Sequence, residues 1–185
     1  MVSTPGTLSS TGTGIFSQVL FKQLEFDSHR HEILLGGSGR FSNMHLAVSL
    51  RKKIIATSNG FMIQYILKNE APFDLKGNFV VESNFAQTDF SSVRANSYTV
   101  EVISNNEKNV IDAAESTRFV KKISFIQITD TSNDISFVYE PNEECDLVCM
   151  PLVFRRPGSL SETPKVAGTA FVNSLCWNIE LLPGM

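Results

Sequence analysis

Residues 40–70, RFSNMHLAVSLRKKIIATSNGFMIQYILKNE, decide the fold. Met44, Leu46, Val48 and Leu50 alternate with His45, Ala47, Ser49 and Arg51. Phe61, Ile63, Tyr65 and Leu67 alternate with Met62, Gln64, Ile66 and Lys68. Side chains on a strand point to opposite faces in turn, so each period-two run buries one face and leaves the other wetter. Thr57-Ser58-Asn59-Gly60 lies between the runs, and Asn-Gly is a strong turn signal because both residues tolerate positive φ. The stretch predicts a central β-hairpin. A helix over 42–55 competes, since Ser42 could cap it and Ala47, Leu50 and Ile54 are spaced helically. Strict alternation favours the strand, with residues 52–56 continuing it through a bulge.

Moving outward towards the N-terminus, Glu32-Ile33-Leu34-Leu35 predicts a short strand, and Gly36-Gly37-Ser38-Gly39 a loop. Residues 27–31 predict a polar turn, and 15–26 a strand with Phe16, Leu20, Leu24 and Phe26 on one face. Residues 1–14, MVSTPGTLSSTGTG, are small and polar without periodicity. They predict an extended arm, either frayed or docked on a neighbouring subunit.

Moving towards the C-terminus, Pro72 breaks the pattern, because proline lacks the ladder donor. Strands are predicted at 77–82, 97–103, 119–129, 135–139, 145–154 and 169–182. Long loops are predicted at 83–96 and 155–168. The one helix falls at 106–118, NEKNVIDAAESTR, on a narrow stripe of Val110, Ala113 and Ala114. Eight to ten short strands and one helix in a single core make a sandwich, a jelly roll or a barrel.

At 185 residues the chain is one domain with short arms. Its 42% hydrophobic and 19% charged content suits a packed core. A net charge of −3 excludes a nucleic-acid binder held by bulk charge, and there is no polybasic membrane patch. No apolar run is long enough to span a bilayer, and the N-terminus lacks a signal-peptide pattern. Cys145, Cys149 and Cys176, an odd count, read as reduced thiols in a cytosolic setting.

No catalytic motif is legible, and neither a cofactor nor a metal is expected. His29 and His31 with Glu32 supply too few convergent ligands for a metal and read as turn histidines. On a strand Cys145 and Cys149 would lie about 13 Å apart, too far for a disulfide. Gly36-Gly37-Ser38-Gly39 lacks the Lys-Ser/Thr of a phosphate loop. Three basic clusters remain at predicted strand ends: Arg51-Lys52-Lys53, Lys121-Lys122 and Arg155-Arg156. They read as a solvated rim or as contacts to RNA or to other subunits.

Three runs, MHLAVSLRKKIIATSNGFMIQYIL, VKKISFIQITDTSNDISFVYE and DLVCMPLVFRRPG, resemble the strands of jelly-roll coat proteins of plant picorna-like viruses of the secovirid kind. The resemblance implies an all-β, antiparallel jelly-roll β-sandwich of about eight strands with one short helix. Residues 1–14 would be an N-terminal arm, 15–182 one domain and 183–185 a tail. It implies a non-enzymatic capsid protein, cut from a polyprotein, that assembles with other copies or paralogous coat proteins around viral RNA. Weak nonspecific contacts to that RNA would come from the seven basic residues named above. The location would be the virion, with the host cytoplasm during assembly, and no membrane. A plant-virus movement protein and a matrix-like viral protein are the alternatives.

Overall fold

The computed structural model describes residues 15–16, 19–41, 46–86, 98–111, 117–131, 134–156 and 165–184. All regular structure in them is β. Eleven strands form, against about eight expected: β1 (Lys22–Asp27), β2 (Glu32–Phe41), β3 (Leu46–Thr57), β4 (Gly60–Asn69), β5 (Leu75–Ala86), β6 (Tyr98–Ser104), β7 (Glu107–Ile111), β8 (Arg118–Asp130), β9 (Ile135–Tyr139), β10 (Cys145–Arg156) and β11 (Lys165–Leu181). They make a four-stranded sheet, β1-β2-β3-β4, and a seven-stranded sheet, β5-β11-β10-β8-β6-β7, with β9 paired to β8. The chain divides into two compact units at Gly77/Asn78 and Trp177/Asn178.

The first unit holds the four-stranded sheet. Its strands are neighbours in chain order, so it is an antiparallel meander, without the interlaced Greek-key order that a jelly roll requires. The expected hairpin forms at one edge of the sheet: β3 pairs β4 from Val48↔Asn69 to Thr57↔Gly60. The Thr57 hydroxyl donates to the Gly60 carbonyl at 3.1 Å and accepts from the Asn59 N–H at 3.4 Å, which closes the Ser58-Asn59 turn. The expected glycine loop at 36–39 is instead part of β2, in register with Val48–Arg51 of β3.

The second unit is built round β8. One edge of β8 pairs β10 through Arg118–Ile123 and β9 through Ile126–Asp130; the other pairs β6. Val100, Val102, Ile123, Ile126, Ile128, Cys145, Leu147 and Cys149 form its core, flanked by Trp177, Val81 and Phe85. The helix expected over 106–118 is absent where the residues are described. Glu107–Ile111 is strand β7, paired back onto β6, and 112–116 lie outside the described residues. Asn105 and Asn106 take φ of 51° and 64° between the paired Ser104 and Glu107. Two consecutive left-handed residues make the two-residue turn whose twist matches a hairpin. That local geometry overrides a weak alanine stripe, since a helix this short is marginal in water.

Candidate docking face

Cross-strand partners share a face, so the register of the meander defines its two surfaces. One surface carries the rows Gly39–Val48–Asn69, Gly37–Leu50–Leu67, Leu35–Lys52–Tyr65, Phe26–Ile33–Ile54–Ile63 and Ala56–Phe61. The other is mixed: it carries Glu32, Lys53, Arg51, Ser49, Gln64 and Lys68 together with Leu34, Ile55, Met62 and Ile66. Ion pairs sit on this second, wetter surface: Lys53–Glu32 at 2.7 Å and Lys68–Glu70 at 3.1 Å, with the Ser49 hydroxyl donating to Glu70 at 3.0 Å.

Among the described residues, the apolar surface is covered at one end only. Val48 and Leu50 are 3% and 4% exposed. Ile15, Phe16, Ala71, Leu75, Leu67 and Leu181 pack with Val48. Glycine makes this cover fit. A Cβ on Gly37 would lie 2.6 Å from Val19 Cγ1, and one on Gly39 would lie 2.8 Å from the Ile15 carbonyl oxygen. The glycine run therefore serves close approach of the N-terminal segment to β2.

Asn69 locks the same end. It is wholly buried; its Nδ2 donates to the Phe73 and Leu181 carbonyls at 2.7 and 2.9 Å, and its Oδ1 accepts from the Ala71 N–H at 2.8 Å. The Asn69 carbonyl accepts from the Gly184 N–H at 2.9 Å.

Three rows further on, the cover ends. Ile63 is 45% exposed, Phe26 65% and Phe61 74%. Phe26, Ile33, Ile54 and Ile63 form one row across all four strands without a polar member. The periodicity of β3 and β4 signalled this face; which of its rows would be left uncovered lies in no local pattern.

The seven basic residues belong to three strands, β3, β8 and β10. Arg51, Lys52 and Lys53 lie inside β3, not at a strand end. Arg51 is exposed, Lys52 stands 5.5 Å from the Tyr65 ring centroid on the apolar surface, and Lys53 pairs with Glu32 on the other. Lys121 and Lys122 form a mid-strand bulge in β8 opposite Asp146. Lys122 has φ 52° and its N–H donates to Asp146 Oδ1 at 3.1 Å, while the Ser104 hydroxyl donates to the Lys121 carbonyl at 2.6 Å. Arg155 and Arg156 do end β10, in register with Val166 and Lys165.

His29 and His31 are exposed turn residues between β1 and β2, where Asp27 Oδ1 accepts from the His29 and Arg30 N–H groups at 2.9 and 3.1 Å. Burial pushes the Cys145 and Cys149 thiols up to about 12. Among the described residues no group of three or more His, Cys, Asp or Glu could hold a metal ion, and no helix is long and apolar enough to cross a membrane.

A family model described as alpha-amylase/4-alpha-glucanotransferase, C-terminal, matches residues 8–154. The chain belongs to this family. No curated protein matches the sequence. Among solved structures, the 4-alpha-glucanotransferase from Thermococcus litoralis is similar, with a TM-score of 0.55 at 15% identity over 87% of this chain. At that identity the likeness is one of fold, and the chain spans 21% of that protein's length. A protein from Synechocystis sp. PCC 6803 aligns over 90% of this chain and 68% of its own, with 7% identity and a TM-score of 0.49.

Membership of this C-terminal-domain family overturns the coat-protein resemblance. The expectations attached to it fall together: no link to an enzyme, coat subunits and viral RNA as partners, the virion and host cytoplasm as location. The movement-protein and matrix-like alternatives fall with them. Alternating strands, near-neutral charge and polar loops are properties of an antiparallel β architecture, and one architecture hosts many unrelated functions. The three runs that carried the resemblance hold strand periodicity and no residue whose chemistry only a coat protein needs.

Proposed function

We propose that this chain is the C-terminal part of an enzyme that processes α-glucans, by hydrolysis or by glucan transfer. The family match over residues 8–154 carries the reading. The fold shared with a much longer 4-alpha-glucanotransferase supports it. In this reading residues 15–182 act as one module of the enzyme, with 1–14 as an arm and 183–185 as a tail. Arg51, Lys52, Lys53, Lys121, Lys122, Arg155 and Arg156 are its candidate contacts to the rest of the enzyme. Lys52 comes first among them, because it alone is seen on the apolar surface of the meander, beside Tyr65.

The test is glucan turnover. The protein is purified from its source cells with everything joined or bound to it, then incubated with maltoheptaose, and the products are resolved by chromatography. Chain-length redistribution or shortening should follow this protein through every column. Preparations that hold the protein and leave maltoheptaose intact would refute the reading.

A further inference from the structure

Among the described residues, the outer rows of the apolar surface of the meander are left uncovered. Strands about 4.8 Å apart and rows about 6.7 Å apart give each position about 32 Å², so the nine positions of the three outer rows span on the order of 300 Å². Phe26, Ile33, Ile54, Ile63 and Phe61 supply most of it, and Lys52 and Tyr65 lie within it. Contiguous apolar area of this size marks an interaction site more often than idle surface.

We propose that this patch seats the catalytic part of the α-glucan-processing enzyme, a proposal that rests on the functional reading above. Area decides between occupants. Two copies meeting through this patch would bury only about 600 Å² in total, short of the ~1,200–2,000 Å² of a stable bimolecular complex. The same area reaches the lower end of the ~600–1,500 Å² range of contacts between domains of one enzyme, where tethering supplies a high effective concentration. The family is defined as the C-terminal part of larger enzymes, and the structurally similar glucanotransferase carries about four-fifths of its chain beyond the equivalent of this one. That extra chain is the occupant which a half-covered sheet face lacks. Lys52 fits as a contact at the edge of the patch, its ammonium 5.5 Å from the Tyr65 ring centroid.

The test has two arms. In the first, the isolated protein is examined by sedimentation equilibrium at micromolar concentration. It should be a monomer; a dimer that Ile63→Glu dissociates would overturn the proposal in favour of a second copy. In the second, a benzophenone cross-linker is carried in source cells at Phe61 on the apolar surface, or at Gln64 on the opposite one. The position-61 adduct should be a peptide of an α-glucan-acting catalytic sequence, at least tenfold stronger than the position-64 adduct. Ile63→Glu should reduce it tenfold without lowering the thermal midpoint of the isolated protein. Equal adducts at both positions, none at 61, or a partner of another class would overturn the proposal. Glucan turnover that still followed the protein would then show that the functional reading had survived and only this face was misassigned.

Discussion

Two buried asparagines show how far one residue type can differ in role. Asn69 has both side-chain N–H groups and its Oδ1 bonded to main chain from two segments, residues 71–73 and the end of β11. Asn69→Ala strands two carbonyls and an N–H in the interior and should cost about 3 kcal/mol or more, read as the shift in a urea unfolding curve. Asn173 is 3% exposed in β11, and neither its Nδ2 nor its Oδ1 has a hydrogen-bond partner. Burying an unbonded amide is unfavourable, so Asn173→Val should raise stability by about 1 kcal/mol in the same assay. A loss there would show the amide to be bonded. Neither outcome is legible in the sequence, where Asn69 lies between Lys68 and Glu70 and Asn173 between Val172 and Ser174. Only the positions of distant carbonyls separate them.

At the scale of elements, local chemistry decides turns and tertiary approach decides β2. The Asn105-Asn106 turn needs two left-handed residues, which asparagine tolerates and alanine does not. Replacing both by alanine should cost about 2 kcal/mol, whereas Asn106→Gly should be neutral or slightly stabilising, by thermal unfolding. In β2, Gly39 has no positive φ to protect, so Gly39→Ala would ordinarily stabilise a strand by limiting the unfolded chain. Here the added Cβ meets the Ile15 carbonyl oxygen at 2.8 Å, and backbone does not yield cheaply. We expect a net loss of about 2 kcal/mol. The alternation of β3 and β4 was readable because period two is a local property. Gly36-Gly37-Ser38-Gly39 read as a loop because glycine signals a turn locally, and its use for close packing depends on a segment some twenty residues away.

For the whole molecule, charge and burial together set a window of pH stability. Backbone N–H groups of Arg30 and His29 hold the Asp27 carboxyl below its usual range, and the Lys68 ammonium with the Ser49 hydroxyl does the same for Glu70. Groups with depressed folded values add stability above about pH 4 and lose it as pH falls through those values. Cys145 and Cys149 keep their protons to about 12 in the fold, while unfolded thiols ionise from about pH 9, so stability declines above pH 9. A plot of thermal midpoint against pH should be flat from about 5 to 8 and fall on both sides, with a smaller acid limb in Asp27→Asn. Cys145 and Cys149 should also resist alkylation at pH 8 until the protein is unfolded. The all-β class and the alternation of β3 and β4 were determined by the sequence alone, because side-chain period and turn chemistry act within a few residues. Which sheet each strand joined, which glycines were spaces rather than turns, and which half of an apolar face stayed uncovered were decided by tertiary structure. Those outcomes depend on which distant segments come to lie against one another, and no local pattern records that.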